Sequence, residues 1–431
     1  MSTCIEVFNM GLLSSIKTQL RSRAWIYRGV LSLNRCLLPA CKDAFWEGCR
    51  SLAWKLCFYL YSTAARRRNS WLYAYLANPR HGPPFRFFSV YQALRCGWPR
   101  FEGRIVLEDQ GSPTVSTNSL LALGHIQQHA HQPHPIFWSR HVGSHLVSRS
   151  LALLTPEKEL AIESIYGHST RSDDPAVRYL KLPPPVTLTG NWTSLISRWV
   201  PNDGQVPNHS HWLLDALPRL ALLKEFPADT HVIVPPKLAA YQRESLAMLG
   251  LTDDRLRPAP ETHLLVENYY FSSPPSMIAC YSPYAVRFLR ETFLPHADVS
   301  YHGPKRFFIS RRNVARNTGN VAELEHFFSR LGWGVIDLCE LTFAQEIQLF
   351  AEAEAICGLW GSGLTNIIFC RPECAVVTMG HDYWTDGVLE WILQVVDITK
   401  YSVHLYPTDA CRHWCVDLDV MKQQLKSVGL L

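Results

Sequence analysis

From about residue 190 onward, short apolar runs alternate with longer stretches of helical periodicity, and few folds accept that pattern. The runs are His231–Val234, Leu264–Val266, Arg306–Ile309, Ala355–Gly358 and Ala375–Met379. They read as buried strands because they are continuously apolar rather than alternating. Strands of this kind separated by helices argue for an α/β fold, with parallel sheets covered by helices on both faces. The pattern is read twice, over roughly 190–295 and 300–405. A chain of 431 residues holds two ordinary domains and an appendage. Two Rossmann-like halves facing one cleft are therefore expected, spanning 85–295 and 300–405, with 406–431 as a C-terminal tail.

The first hundred residues have a different character. They carry 15 Lys and Arg against three acids, Glu6, Asp43 and Glu47, whereas the remainder is net acidic, so the overall charge is only +5. Residues 10–76 read as a run of helices rich in Arg, Trp and Tyr that closes on Arg66, Arg67 and Arg68. A basic helical extension over 1–80 is expected. One reading lays it along an anionic membrane surface, with its apolar face at the headgroup boundary; the other is a helical hairpin on the main body with a solvated basic face. No recognised nucleic-acid module accompanies the charge, so a nucleic-acid partner is not expected. Residues 79–84 look like a linker. Over 85–190 the sequence offers short candidate strands, a His-rich stretch from His125 to His145 that reads as a solvated loop, and a break at Pro183-Pro184-Pro185.

With 47% apolar residues the chain builds a sizeable core, which excludes disordered and collagen-like classes. No run of about 20 apolar residues suggests a membrane span, and the N-terminus lacks the order of a cleaved signal peptide. The 13 cysteines form no Cys-x-x-Cys. Cys370/Cys374 and Cys411/Cys415 lack good zinc spacing, and the thiols read as reduced. A cytoplasmic protein peripheral to the membrane is expected, which leaves the sequons at Asn191 and Asn208 without consequence.

Three segments carry candidate chemistry. In the first, Asn208 is a suitable N-cap, and His211 and Asp215, four residues apart, share a helix face. An Asp so placed fixes the imidazole tautomer of a general base, or else the pair merely ties helix to sheet. Pro218 should kink or end this helix. In the second, the strand Arg306–Ile309 leads into Ser310, Arg311, Arg312 and, further on, Arg316. The carboxyl end of a strand in an open α/β sheet is where ligands bind, and the arginine fork suits phosphate oxygens. In the third, strand, Gly-rich turn and apolar helix follow in order through Gly358, Trp360, Gly361, Ser362, Gly363 and Asn366, a turn that lets backbone approach an anion. Thr342 and Gln345 form a capping box for the helix leading into it.

Taken together these segments resemble glycosyltransferase family 61. Its pattern includes an Asn-x-x-His-x-x-x-Asp helix, a strand ending Ser-Arg followed by another Arg, and a late His-Gly-Ala-Gly-Leu-Thr-Asn loop. Here they stand as Asn208, His211 and Asp215; Ser310 and Arg311 with Arg316 and Asn320; and Trp360 to Asn366. The resemblance covers about residues 190–405. The sequence departs from the pattern at Trp360, where the loop commonly opens with His, and at Val321 and Thr378, where Glu is common.

The resemblance implies a GT-B-like architecture, with two Rossmann-like domains facing a cleft and the donor mostly on the C-terminal one. It further implies inverting, metal-independent transfer from a nucleotide-sugar donor, a UDP-sugar being favoured, to a hydroxyl acceptor such as a glycan or polysaccharide. No cofactor and no metal are expected. His211 or Asp215 would act as base with the other as its partner. Arg311, Arg316, Gly361, Ser362, Gly363 and Asn366 would hold the donor diphosphate. The alternative is a non-catalytic sugar- or nucleotide-binding scaffold with a degenerate donor site.

Overall fold

A computed structural model of the protein describes residues 86–97, 102–107, 135–165, 182–197, 199–206, 208–277, 280–312, 318–381, 388–409 and 413–431. All of these fall in the unit Ala77–Leu431. The basic extension, the linker, Arg316 and the His-rich residues before 135 lie outside the described residues.

The first sheet has nine strands. They are β1 (Arg86–Phe88), β2 (Glu102–Leu107), β3 (Ile136–Val147), β4 (Ala152–Leu154), β5 (Glu159–Ala161), β6 (Val186–Ser194), β7 (His231–Val234), β8 (Leu256–Pro258) and β9 (His263–Ser272). Their order is β1-β5-β4-β3-β9-β6-β7-β8, with β2 added on β3. β10 (Ser276–Met277) and β11 (Cys280–Tyr281) make a small antiparallel ribbon. The second sheet comprises β12 (Arg306–Ile309), β13 (Gly334–Ile336), β14 (Ala355–Leu359), β15 (Ala375–His381) and β16 (Tyr401–Tyr406), ordered β13-β12-β14-β15-β16. Each of its pairs is parallel. All five apolar runs picked out in the sequence thus lie in strands.

The expectation of two all-parallel sheets needs correction in the first half. β9, β6, β7 and β8 are parallel neighbours, but β2, β4 and β9 all run antiparallel to β3. The connection from β3 to β4 shows why. It is only Ser148–Leu151, with Ser148 and Leu151 at φ of 69° and 48°. So tight a reversal delivers an antiparallel neighbour, whereas a parallel one needs a crossover of roughly a dozen residues. The His-rich stretch is corrected as well. His141 and His145 belong to β3. His141 is buried against Ser139 Oγ, 2.7 Å from its Nε2, and burial lowers its pKa to about 3.

The second sheet displays the two-residue period of a strand covered on both faces. Phe307 and Ile309 of β12, Ile356 of β14 and Val376 of β15 enter one apolar cluster. Phe308, Cys357 and Val377, their immediate neighbours, enter another. The first of these clusters also takes in Val232 and Val234 of β7 and Trp212, Leu213 and Leu214. Residues of both halves therefore meet in one apolar cluster, while the first half keeps a cluster of its own around Phe137, Leu146 and Leu264. Residues 413–431, set apart in the sequence as a tail, are integral to the other face. There Trp414, Val416, Met421 and Leu425 are buried with Phe308 and Val377, and Gln424 Nε2 donates to the Thr378 carbonyl at 3.4 Å.

A shared core binds the two sheets into one cooperative unit. Urea unfolding of the full chain is expected to show one transition for both halves. Ile356→Ala, which empties part of the shared core from the second sheet, is expected to lower stability by about 2–5 kcal/mol without splitting that transition. Two separated transitions by circular dichroism would contradict this.

Candidate functional site

The first motif follows the carboxyl end of β6. Asn208 caps the chain in extended geometry and accepts from the Ser210 N–H at 2.9 Å. One α-helical turn, His209–His211, passes into a π-helical stretch, Trp212–Ala216, and then into a 3-10 helix, Leu217–Glu225. The sequence led us to expect an ordinary helix kinked at Pro218. The widening is the form that break takes. Pro218 has no N–H to offer, and its ring would press on the carbonyl one turn back, so the turn before it opens, with Leu217 N–H donating to the Trp212 carbonyl. Trp212, fully buried, anchors the turn through its indole N–H to Ser245 Oγ at 3.0 Å.

On this run His211 Nδ1 lies 2.7 Å from Asp215 Oδ2. The carboxylate accepts from Nδ1–H, which leaves the lone pair on Nε2. The imidazole stacks on Trp199, ring centroids 4.8 Å apart and planes at 14°. Asp215 is buried and His211 partly exposed, the arrangement of a general base held from behind.

Behind Asp215 lies Arg219, to which the sequence analysis gave no role. It is buried, and its Nη1 donates to the backbone carbonyls of Ser194 and Ile196, both at 3.4 Å. It thereby pins the motif run to the end of β6. Burial pushes the guanidinium below its ordinary pKa, and nearby Tyr269 and the Asp215 charge oppose that. The available signal was its spacing, one further helical turn beyond Asp215.

The second and third motifs meet at the carboxyl edge of the parallel sheet. The two adjacent arginines after β12 part company. Arg312 pairs with the buried Glu325, which also accepts from Ser310 Oγ at 2.6 Å. Arg311 instead lays its guanidinium on Gly361, where a Cβ would fall on that group. Gly361 has φ 171°, ordinary extended backbone, so what glycine supplies there is space for the Arg311 guanidinium and not a special conformation. At Gly363 a Cβ would come within 2.7 Å of Leu338 Cδ1, a side-chain end that can shift aside. Trp360 to Gly363 are partly exposed, and Leu364 to Phe369 are buried. Trp360 hydrogen-bonds its backbone N–H to the Met379 carbonyl at 2.6 Å and rests its ring over Gly380.

Asn366, expected among the donor-binding residues, is fully buried. Its Nδ2 donates to Glu346 Oε2 at 2.6 Å, and its Oδ1 lies 3.0 Å from His209 Nε2. Since Oδ1 is the acceptor end, His209 carries its proton on Nε2. His209 also packs against the Tyr241 ring at 4.8 Å. Glu346 sits on the helix Phe343–Ala351, whose start shows the expected box, Thr342 Oγ1 accepting from Gln345 N–H and Gln345 Oε1 from Thr342 N–H. His209 and Glu346 were not singled out in the sequence; the capping box was the nearest signal.

The model of the family described as Glycosyltransferase 61 matches residues 210–377. This is the family the three motifs resemble, and the matched residues include His211, Asp215, Arg311 and Gly361. No curated protein matches the chain. The family match supports glycosyltransferase activity, with a sugar donor and an acceptor as the general ligands. Among the described residues no helix is long and apolar enough to cross a membrane.

Burial raises the Glu346 carboxyl from 4.5 to about 8, the neighbouring Glu244 adding to it and the Asn366 hydrogen bond opposing it. The folded protein thus holds this proton more tightly than the unfolded chain does. The stability it contributes is complete below pH 4.5 and is lost as the pH rises through about 8, at a slope of up to about 1.4 kcal/mol per pH unit. Glu346→Gln, which cannot ionise, is expected to flatten that fall in thermal melts taken across this window. An unchanged slope would contradict the assignment.

Proposed function

We propose that the protein transfers a sugar, with inversion and without a metal, from a nucleotide-sugar donor to a hydroxyl of a glycan or similar acceptor. The observation that carries this reading is a juxtaposition. A His–Asp pair and an arginine laid on a Gly-rich turn occur on neighbouring elements joined by the His209–Asn366 hydrogen bond.

His211 Nε2 takes the proton of the acceptor hydroxyl as the oxygen attacks the anomeric carbon. The bond from that carbon to the diphosphate oxygen breaks on the opposite side. Asp215 holds the imidazole through Nδ1–H and stabilises the imidazolium that forms. The leaving diphosphate gathers charge, which the Arg311 guanidinium and the backbone amides of Gly361, Ser362 and Gly363 neutralise. Arg316, outside the described residues, would add a second cation. The favoured donor is a UDP-sugar. The architecture we assign is GT-B-like, an acceptor half over 85–295 and a donor half over 300–405, docked through the shared core. Residues 1–80 are assigned to an anionic membrane surface, peripheral on the cytoplasmic side.

One observation favours a second reading, a non-catalytic scaffold that keeps the fold. Two positions of the family pattern are filled by groups that do not titrate, Trp360 over Gly380 and the fully buried Thr378.

Transfer assays on purified variants separate the two. His211→Ala and Asp215→Asn are expected to cut turnover by on the order of a hundredfold or more while the protein stays folded. Arg311→Ala is expected to weaken donor binding as well as turnover, since its charge meets the diphosphate in ground and transition states alike. Parent rates in all three variants would overturn the site assignment, and a parent that binds no nucleotide sugar would establish the scaffold. For the membrane role, Arg66→Glu, Arg67→Glu and Arg68→Glu together should reduce co-sedimentation of the full chain with phosphatidylserine vesicles. Undiminished binding would contradict it.

A further inference from the structure

The chain of hydrogen bonds His209–Asn366–Glu346 crosses from the run that carries His211 to the turn that carries Gly361 against Arg311. We propose that Asn366 and Glu346 are positioning residues for sugar transfer, their amide–carboxyl pair fixing the His211–Asp215 dyad relative to the Arg311–Gly361 clamp. The inference rests on the proposed function and adds the groups that hold its two parts in register.

Three observations support it. Asn366 is wholly excluded from water, and both ends of its amide are engaged, the NH2 to Glu346 at 2.6 Å and the oxygen to His209 at 3.0 Å. Fully buried as it is, the amide offers no exposed surface to a diphosphate oxygen, so its contribution is geometric. Secondly, the network is braced on both sides. Tyr241 packs on His209, and Glu244, from the same helix, accepts the Phe343 N–H at 2.7 Å at the start of the helix that bears Glu346. Thirdly, Arg290 Nη1 donates to the carbonyls of Ile368 and Cys370, so the far end of the Ser362–Phe369 helix is held too. The Asn366 bridge ties this helix to the run that bears His211.

The two proposed working parts lie on different sheets' connections. Arg311 and Gly361 both follow strands of the second sheet, β12 and β14, so donor affinity should survive a loosened bridge. The rate should not, because a misplacement of roughly 1 Å between reacting groups costs on the order of a hundredfold.

The test uses the full chain, with UDP as the binding probe and the transfer assay for kcat. The assays are run well above pH 8, where the Glu346 carboxyl has given up its proton; there Asn366→Asp sets an acceptor opposite that carboxylate, and Glu346→Gln in the same chain restores a donor while His209 keeps its acceptor. Asn366→Asp alone is expected to lower kcat by on the order of ten- to a hundredfold with the UDP Kd near the parent value, and the double variant to recover most of the loss. If Asn366→Asp does not fold, His209→Leu and His209→Gln replace it. Gln retains an N–H donor and should keep the parent kcat, and Leu should not.

Several results would overturn the proposal. Parent kcat in Asn366→Asp or His209→Leu leaves the bridge without a role in turnover. A folded double variant that recovers nothing denies the hydrogen bond its part. A weakened UDP Kd with unchanged kcat makes Asn366 a donor contact instead. A parent that binds UDP but transfers no sugar refutes the proposed function itself, and this inference falls with it.

Discussion

A primary amide removed from water must find a partner for each of its ends, or it costs the fold more than most single contacts return. Asn366 meets that demand from two directions at once. Its NH2 is taken by Glu346 within the second half and its oxygen by His209 of the first. The tautomer of His209, the burial of Glu346 and the seat of the His209–His211 turn all follow from that double commitment. The apolar cluster shared by β7, β12, β14 and β15 supplies most of the cohesion between the halves. Apolar packing is non-directional, however, and tolerates small slips; a hydrogen-bonded amide does not.

The same economy of placement governs the arginines. Adjacent residues leaving a strand diverge, and here the divergence separates two tasks. Arg312 satisfies the buried carboxylate of Glu325, while Arg311 covers Gly361. The departures from the family pattern are accommodated rather than merely tolerated. Trp360 has space because position 380 is Gly, where a Cβ would sit 2.9 Å from Trp360 Cε3. Thr378 is fully buried in β15, its backbone carbonyl meeting Gln424 from the C-terminal helix. An ionisable side chain at that position would be sealed on the strand face that Val376 buries, the side opposite Val377 and Met379.

Much of the second half was legible because burial on both faces writes itself as continuous apolar runs, and β12, β14 and β15 fall on those runs. The capping box at Thr342 and the His211–Asp215 contact were legible for a related reason: both depend on residues three or four apart. What escaped was set by distant neighbours. The antiparallel course of β3 depends on a four-residue reversal at Ser148–Leu151 that carries no glycine. The segment 413–431 is tied down by Asn320, whose amide exchanges hydrogen bonds with the backbone of Val416 at 2.9 and 3.0 Å. Asn366 itself read as a loop residue near phosphate, and nothing local marks an amide destined for His209, 157 residues away. Arg219 was invisible as a positioning group because an arginine is ordinarily a surface residue.

The central claim is that the Arg311–Gly361 clamp holds a nucleoside diphosphate, and thermal melting of the full chain against UDP-, GDP- and CMP-sugars tests it most directly. A ligand that binds only the folded state stabilises it by about 2.7 kcal/mol at a hundred times its Kd. The account predicts a concentration-dependent rise in melting temperature with a UDP-sugar, a rise that shrinks in Arg311→Ala. A melting temperature indifferent to all three nucleotide sugars would contradict it.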